Sequence, residues 1–137
     1  MTVKEYLLQY RTAKIRADIL QREYDVERAE IDSIRSPLGG DNVHSGEISR
    51  SVEVKALKLA EKAEALKDAR AEALRIRQEI LELILSVPNE SGQILYERFI
   101  NLKSWGEVAD TVGYSRRQTF RHYERGLHIA EKKFMDL

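Results

Sequence analysis

The residues best equipped for chemistry lie in one run, Ser115-Arg116-Arg117-Gln118-Thr119-Phe120-Arg121-His122-Tyr123-Glu124-Arg125. Four arginines stand there against one glutamate, and no other stretch of the chain is as strongly basic. A guanidinium keeps its proton near neutrality, so it does not act as an acid–base group. It is a planar fork of donors suited to phosphate, or to O6 and N7 of guanine, while a glutamine amide matches N6 and N7 of adenine. Ser115 with Gln118 three residues on is a capping-box pattern, which predicts a helix opening at this point. Arg116, Arg117 and Gln118 then fall in its first turn, the part that enters a major groove when such a helix docks. Arg121 lies one turn beyond Arg117 on the same face. Ser115 and the free amides of the helix start suit a phosphate, with Lys103 and Arg125 flanking. The candidate contacts are therefore Lys103, Ser115, Arg116, Arg117, Gln118, Arg121 and Arg125. Cations at a helix N-terminus oppose the macrodipole at a cost of a few tenths of a kcal/mol or more, which an anionic ligand would offset. The competing reading is a solvated face whose arginines pair with Glu107, Asp110 and Glu124.

The preceding residues supply what such a helix needs to be held in place. Ser104-x-x-Glu107 is another capping box, opening a helix through Trp105, Val108, Ala109 and Val112. Gly113 can adopt the left-handed conformation that ends one helix and turns the chain sharply toward the next. Ala109 is small where the second helix must cross closely, Val108 and Val112 face inward, and Tyr114 is expected to plug the core. Ile94, Leu95, Phe99, Ile100 and Leu102 supply the packing of a helix before the motif. Helix, short glycine-containing turn and capped helix make up helix-turn-helix grammar. The pattern predicts short helices over roughly 91–101, 104–111 and 115–134.

Ile94-Leu95-Tyr96-Glu97-Arg98-Phe99-Ile100, then Ser104-Trp105-Gly106-Glu107-Val108-Ala109, then Gly113-Tyr114-Ser115 with its arginine and the later Gly126-Leu127, resembles sigma-factor region four. More narrowly it looks like the ArpU/RinA-type transcriptional regulators of phages of Gram-positive bacteria. The resemblance implies a helical N-terminal region before a sigma-like helix-turn-helix, and activation of phage late genes by binding upstream DNA. It also allows RNA polymerase as a further partner. The chain departs from the pattern at Thr119, where a larger β-branched apolar residue is usual on the inner face. That departure leaves open whether Phe120 or Tyr123 turns inward.

Two long helices precede the motif. Thr2-x-x-Glu5 caps the first, and Val3, Tyr6, Tyr10, Ala13, Ala17, Leu20, Tyr24, Glu27, Ile31 and Ile34 recur at alternating spacings of three and four, a heptad seam reaching about Arg35. Ile15, Ile19 and Val26 form a partial second stripe. Ser36 to Gly46 is dense in turn formers and ends this helix. The second runs from about Ser49 to Ser86 along Val52, Ala56, Leu59, Ala63, Leu66, Ala69, Ala73, Ile76, Ile80, Leu83 and Val87, with a stammer between Leu66 and Ala69. At 1.5 Å per residue the two rods span roughly 50–57 Å. They fit an antiparallel coiled-coil hairpin, although the same seams could pair between chains. Val87-Pro88-Asn89-Glu90-Ser91-Gly92 marks a boundary, dividing the chain into a coiled-coil oligomerisation region over 1–87 and a helix-turn-helix domain over 88–137.

Composition agrees with an all-α fold: charged residues make up 34% of the chain, with only two prolines. Lys plus Arg and Asp plus Glu both total 23, so attraction for DNA must come from a local patch. No apolar run is long enough to span a membrane, and the N-terminus lacks the apolar centre of a signal peptide, so the expected location is the cytoplasm of a bacterial host cell. Cysteine is absent, and His44, His122 and His128 lack carboxylates at ligand spacing, so neither a metal nor another cofactor is expected. No phosphate loop or activated nucleophile is visible, and the expectation is a non-enzymatic protein. The main reading is thus a transcriptional regulator that binds double-stranded DNA as a homo-oligomer, a dimer being favoured. The alternatives are a DNA-packaging recognition subunit of the small-terminase kind, or a structural coiled coil that binds only protein.

Overall fold

A computed structural model describes the backbone of residues 1–35 and 45–136, and side chains over 1–34 and 50–136. Among the described residues every regular element is helical. Helix α1 spans Val3–Arg35 and α2 spans Ser45–Leu85; α3, Asn89–Leu95, continues into a π-helical turn, Tyr96–Ile100; α4 is Trp105–Val112 and α5 is Arg116–Met135. The second helix thus begins four residues before the expected Ser49. Most of the turn-rich stretch from Ser36, with His44, lies outside the described residues.

The capping box at the start of α1 is formed: the Thr2 backbone N–H donates to Glu5 Oε2 at 3.3 Å, and the Glu5 N–H donates to Thr2 Oγ1 at 3.1 Å. Each bond satisfies a backbone donor that has no partner inside the helix.

The chain packs as two compact units, one of residues 15–71 and the other of 1–14 with 72–137. In the first, the two rods run antiparallel. Glu30 pairs with Lys55 at 2.8 Å and Glu27 with Lys62 at 3.4 Å, while Gln21 accepts a bond from Arg70, so rising numbers on one rod meet falling numbers on the other. Ala17, Glu27 and Ile31 of α1, with Leu66 and Ala69 of α2, are buried in the seam. An alanine buries one methyl, whereas a fully buried leucine or isoleucine contributes about 1.5–3 kcal/mol. This seam is accordingly modest, and Glu27, the one charged residue in the α1 series, is accommodated because Lys62 reaches it.

In the second unit the outer ends of the long helices join the C-terminal helices. Val3 and Leu7, with Ile80, Leu83, Ile84 and Val87, share a core with Ile94, Leu95, Phe99, Ile100, Val108, Tyr123 and Ala130. The packing boundary thus falls inside both rods rather than at Pro88, because apolar residues thicken toward the rod ends while the middle is alanine-rich. Leu7, fully buried, stands outside the heptad series. Tyr6 meets Phe134 at a ring separation of 5.0 Å.

The link from α2 to α3 is tight. Asn89 has φ 58°, a left-handed conformation that asparagine tolerates, and helix resumes immediately after Pro88. The π-helical turn is closed by the Asn101 N–H donating to the Tyr96 carbonyl at 3.1 Å. The neighbouring Phe99 and Ile100 both enter the core there.

Candidate nucleic-acid interface

Helix α4 begins as its spacing predicts. Ser104 Oγ accepts from the Glu107 N–H at 3.2 Å, and Glu107 Oε1 accepts from the Ser104 N–H at 3.4 Å. The helix ends at Gly113, with φ 74° and ψ 27°, whose N–H donates to the Ala109 carbonyl at 2.9 Å. The Tyr114 N–H reaches the same carbonyl at 3.1 Å, so two donors close the turn on one buried small residue. Tyr114 does not plug the core. It is half-buried and lies nearly parallel to the His122 ring, 5.0 Å away, because the turn delivers it beside α5.

Helix α5 opens with the other expected box. Ser115 Oγ accepts from the Gln118 N–H at 3.2 Å, and Gln118 Oε1 accepts from the Ser115 N–H at 3.2 Å. Its inner face is Thr119, Tyr123, Gly126 and Ala130, all buried, at steps of three and four. Thr119 is 1% exposed, and its hydroxyl donates to the Ser115 carbonyl at 2.8 Å, so this residue points inward with its polar atom satisfied. Phe120, 40% exposed, sits at the edge of this face. Its ring lies 4.7 Å from that of Trp105, which also packs against Tyr123 at 4.6 Å. The Arg98 guanidinium covers Trp105 at 4.7 Å from the ring centre, a cation–π contact. Trp105 thus belongs to an aromatic cluster that locks α4 to α5. Burial in that cluster raises the Tyr123 phenol above its ordinary pKa.

The buried face fixes which side chains point away. Arg117 and Arg121 lie opposite Thr119 and Tyr123, with Arg125 one turn further, and all three are exposed. Among the described residues none of the three forms an ion pair, with Glu107, Asp110, Glu124 or any other carboxylate. His128 and Lys132 continue the same side and are exposed.

The other candidates are placed differently. Arg116 leans toward α4: a Cβ added to Gly106 would lie 3.0 Å from its Nη2. Ser115 and Gln118 are exposed but engaged with each other, and adenine recognition through both amide atoms of Gln118 would require the cap to open. Lys103 is tied back into the fold. Its ammonium is 2.7 Å from Glu97 Oε2 and donates to Thr111 Oγ1 at 3.2 Å, so flanking Ser115 in sequence does not leave its charge free.

Glu97 was not anticipated. It is buried in the π-helical turn, where Asn101 Nδ2 donates to it at 3.0 Å beside Lys103. Those two donors hold its carboxyl below the usual carboxylate range. The Arg98 Nη1 donates to the Lys103 carbonyl at 2.8 Å, which pins the same loop. Within that loop Leu102 takes φ 56°, a costly conformation for a residue with a Cβ. Asn101 and Lys103, four and six residues beyond Glu97, were the available signal, but only the turn brings them together.

Among the described residues no His, Asp or Glu cluster could hold a metal ion, and no helix is long and apolar enough to cross a membrane. Comparison with known proteins finds no matching family, no similar curated sequence and no similar solved structure.

Proposed function

We propose that this chain is a sequence-specific double-stranded DNA-binding regulator of transcription, a late-gene activator of a phage or prophage acting in the cytoplasm of its bacterial host. The DNA contact rests on one observation. A capped helix buries Thr119, Tyr123 and Gly126 while presenting Arg117, Arg121 and Arg125 outward without carboxylate partners among the described residues. Unpaired guanidiniums in register on one helix face match the donor geometry that reads guanine in a major groove. Zero net charge does not oppose this, since acids beyond a Debye length of about 10 Å screen a local patch poorly. The regulatory role rests on the sigma-like resemblance, and RNA polymerase is a further partner on that view.

The test is selection of bound duplexes from random DNA, followed by affinity measurements at several salt concentrations. Arg117→Ala and Arg121→Ala should each weaken the selected complex by about 1–3 kcal/mol and relax its base preference, with helix content unchanged. Retention of the selected duplex by the double variant at wild-type affinity would refute the assignment. An affinity that does not fall with salt would refute DNA binding through this surface.

A further inference from the structure

Helix α1 has a second apolar stripe that none of the described residues covers. Ile15, Ile19 and Val26 are 48%, 54% and 54% exposed, on the side turned away from the buried seam residues Ala17, Glu27 and Ile31. Arg22 falls between Ile19 and Val26 in the same series, so the spacings run four, three and four. That periodicity is the one two helices use to pair along a seam.

The charges beside the stripe say what would cover it. Arg16 flanks its first half, and Glu23 and Asp25 its second; all three are exposed. Of the opposing charges, Asp18 in the first half is already engaged, and Arg22 in the second belongs to the seam itself. Arg16 and Glu23 are opposite charges one heptad apart on the same flank, and they meet across a seam only when the partner helix is inverted. A parallel partner would set like charges side by side.

We propose that this stripe is the dimer interface of the protein, with α1 of a second copy packed antiparallel upon it about a twofold axis. In this register Ile15 packs on Val26 of the second copy, and Ile19 lies beneath the aliphatic stem of Arg22, whose head stays in water. Arg16 and Glu23 then meet across the seam twice, once on each side of the axis, as an isologous contact requires. Among the described residues Glu23 meets Lys62 alone, at 3.5 Å, a long and exposed pair that leaves its carboxylate room for a second cation. The interface does not depend on DNA binding.

The full-length chain should sediment as a dimer. Ile19→Asp should weaken association about tenfold or more while leaving the helical signal intact, since that side chain touches solvent rather than the core. Because the chain contains no cysteine, orientation can be read by disulfide trapping. A mixture of Ile15→Cys and Val26→Cys chains should give the mixed covalent dimer. Ile15→Cys alone should not, because antiparallel packing separates the two copies of that residue by about 16 Å, beyond disulfide reach. A monomeric wild type, an unchanged Ile19→Asp dimer, or trapping of Ile15→Cys with itself would each overturn the proposal.

Discussion

Gly126 of α5 passes so close to Ser91 of α3 that a Cβ at Gly126 would lie 3.1 Å from the Ser91 carbonyl oxygen and 3.2 Å from its Cβ. Leu95 Cδ1 would be 3.3 Å away. A glycine inside a helix gives up about 1 kcal/mol of propensity relative to alanine, and here the close crossing accounts for its presence. Gly126→Ala should therefore be mildly destabilising, the clash being partly offset by propensity. Gly126→Val adds bulk without that gain and should cost about 2 kcal/mol or more. Equal melting temperatures for the valine variant and wild type would show that α3 and α5 can separate freely.

The Glu97 cluster predicts an acid-sensitive loop. Its carboxyl is held low by Asn101 and then Lys103, so the folded state favours the ionised form. Its contribution is fully present above the unfolded-state pKa and is lost as pH falls through the lower, folded-state value. Glu97→Gln should cost on the order of 1–2 kcal/mol at neutral pH by removing the charge that meets Lys103. The gap in melting temperature between variant and wild type should close as both are taken to pH below the carboxylate range. A gap that stays constant through the acid range would exclude this linkage.

The cap of α5 separates structural from base-reading roles. Ser115→Ala removes the acceptor for the Gln118 N–H and should destabilise the chain by about 1 kcal/mol. Gln118→Ala leaves that acceptor in place and removes the two exposed bonds that Oε1 accepts from the Ser115 N–H and hydroxyl, so its cost should be smaller. If Gln118 served chiefly to read adenine, its replacement would instead change the selected DNA without changing stability. Thermal melting and duplex selection on the two variants decide the point.

Much of the local structure was legible in the sequence because its causes are local. Thr2 with Glu5, Ser104 with Glu107 and Ser115 with Gln118 each form the box their spacing announces, since both partners lie within one helical turn. Gly113 takes the left-handed turn for the same reason. The seam positions on α1 and α2 are buried or half-buried wherever side chains are described, which heptad periodicity alone predicts.

Tertiary packing decided the rest. Whether Thr119, Phe120 or Tyr123 faces inward depends on the angle at which α5 crosses α3 and α4, and Gly126 against Ser91 sets how closely it crosses. That crossing turns Arg117, Arg121 and Arg125 outward and tilts Arg116 over Gly106. Lys103 looked like a free cation because its partner, Glu97, is six positions away and meets it only after a π-helical turn and a left-handed Leu102. Residue types and short spacings determined which helices form and where they begin. Contact between helices determined which charges remain available, because an ion pair depends on distance in space rather than along the chain.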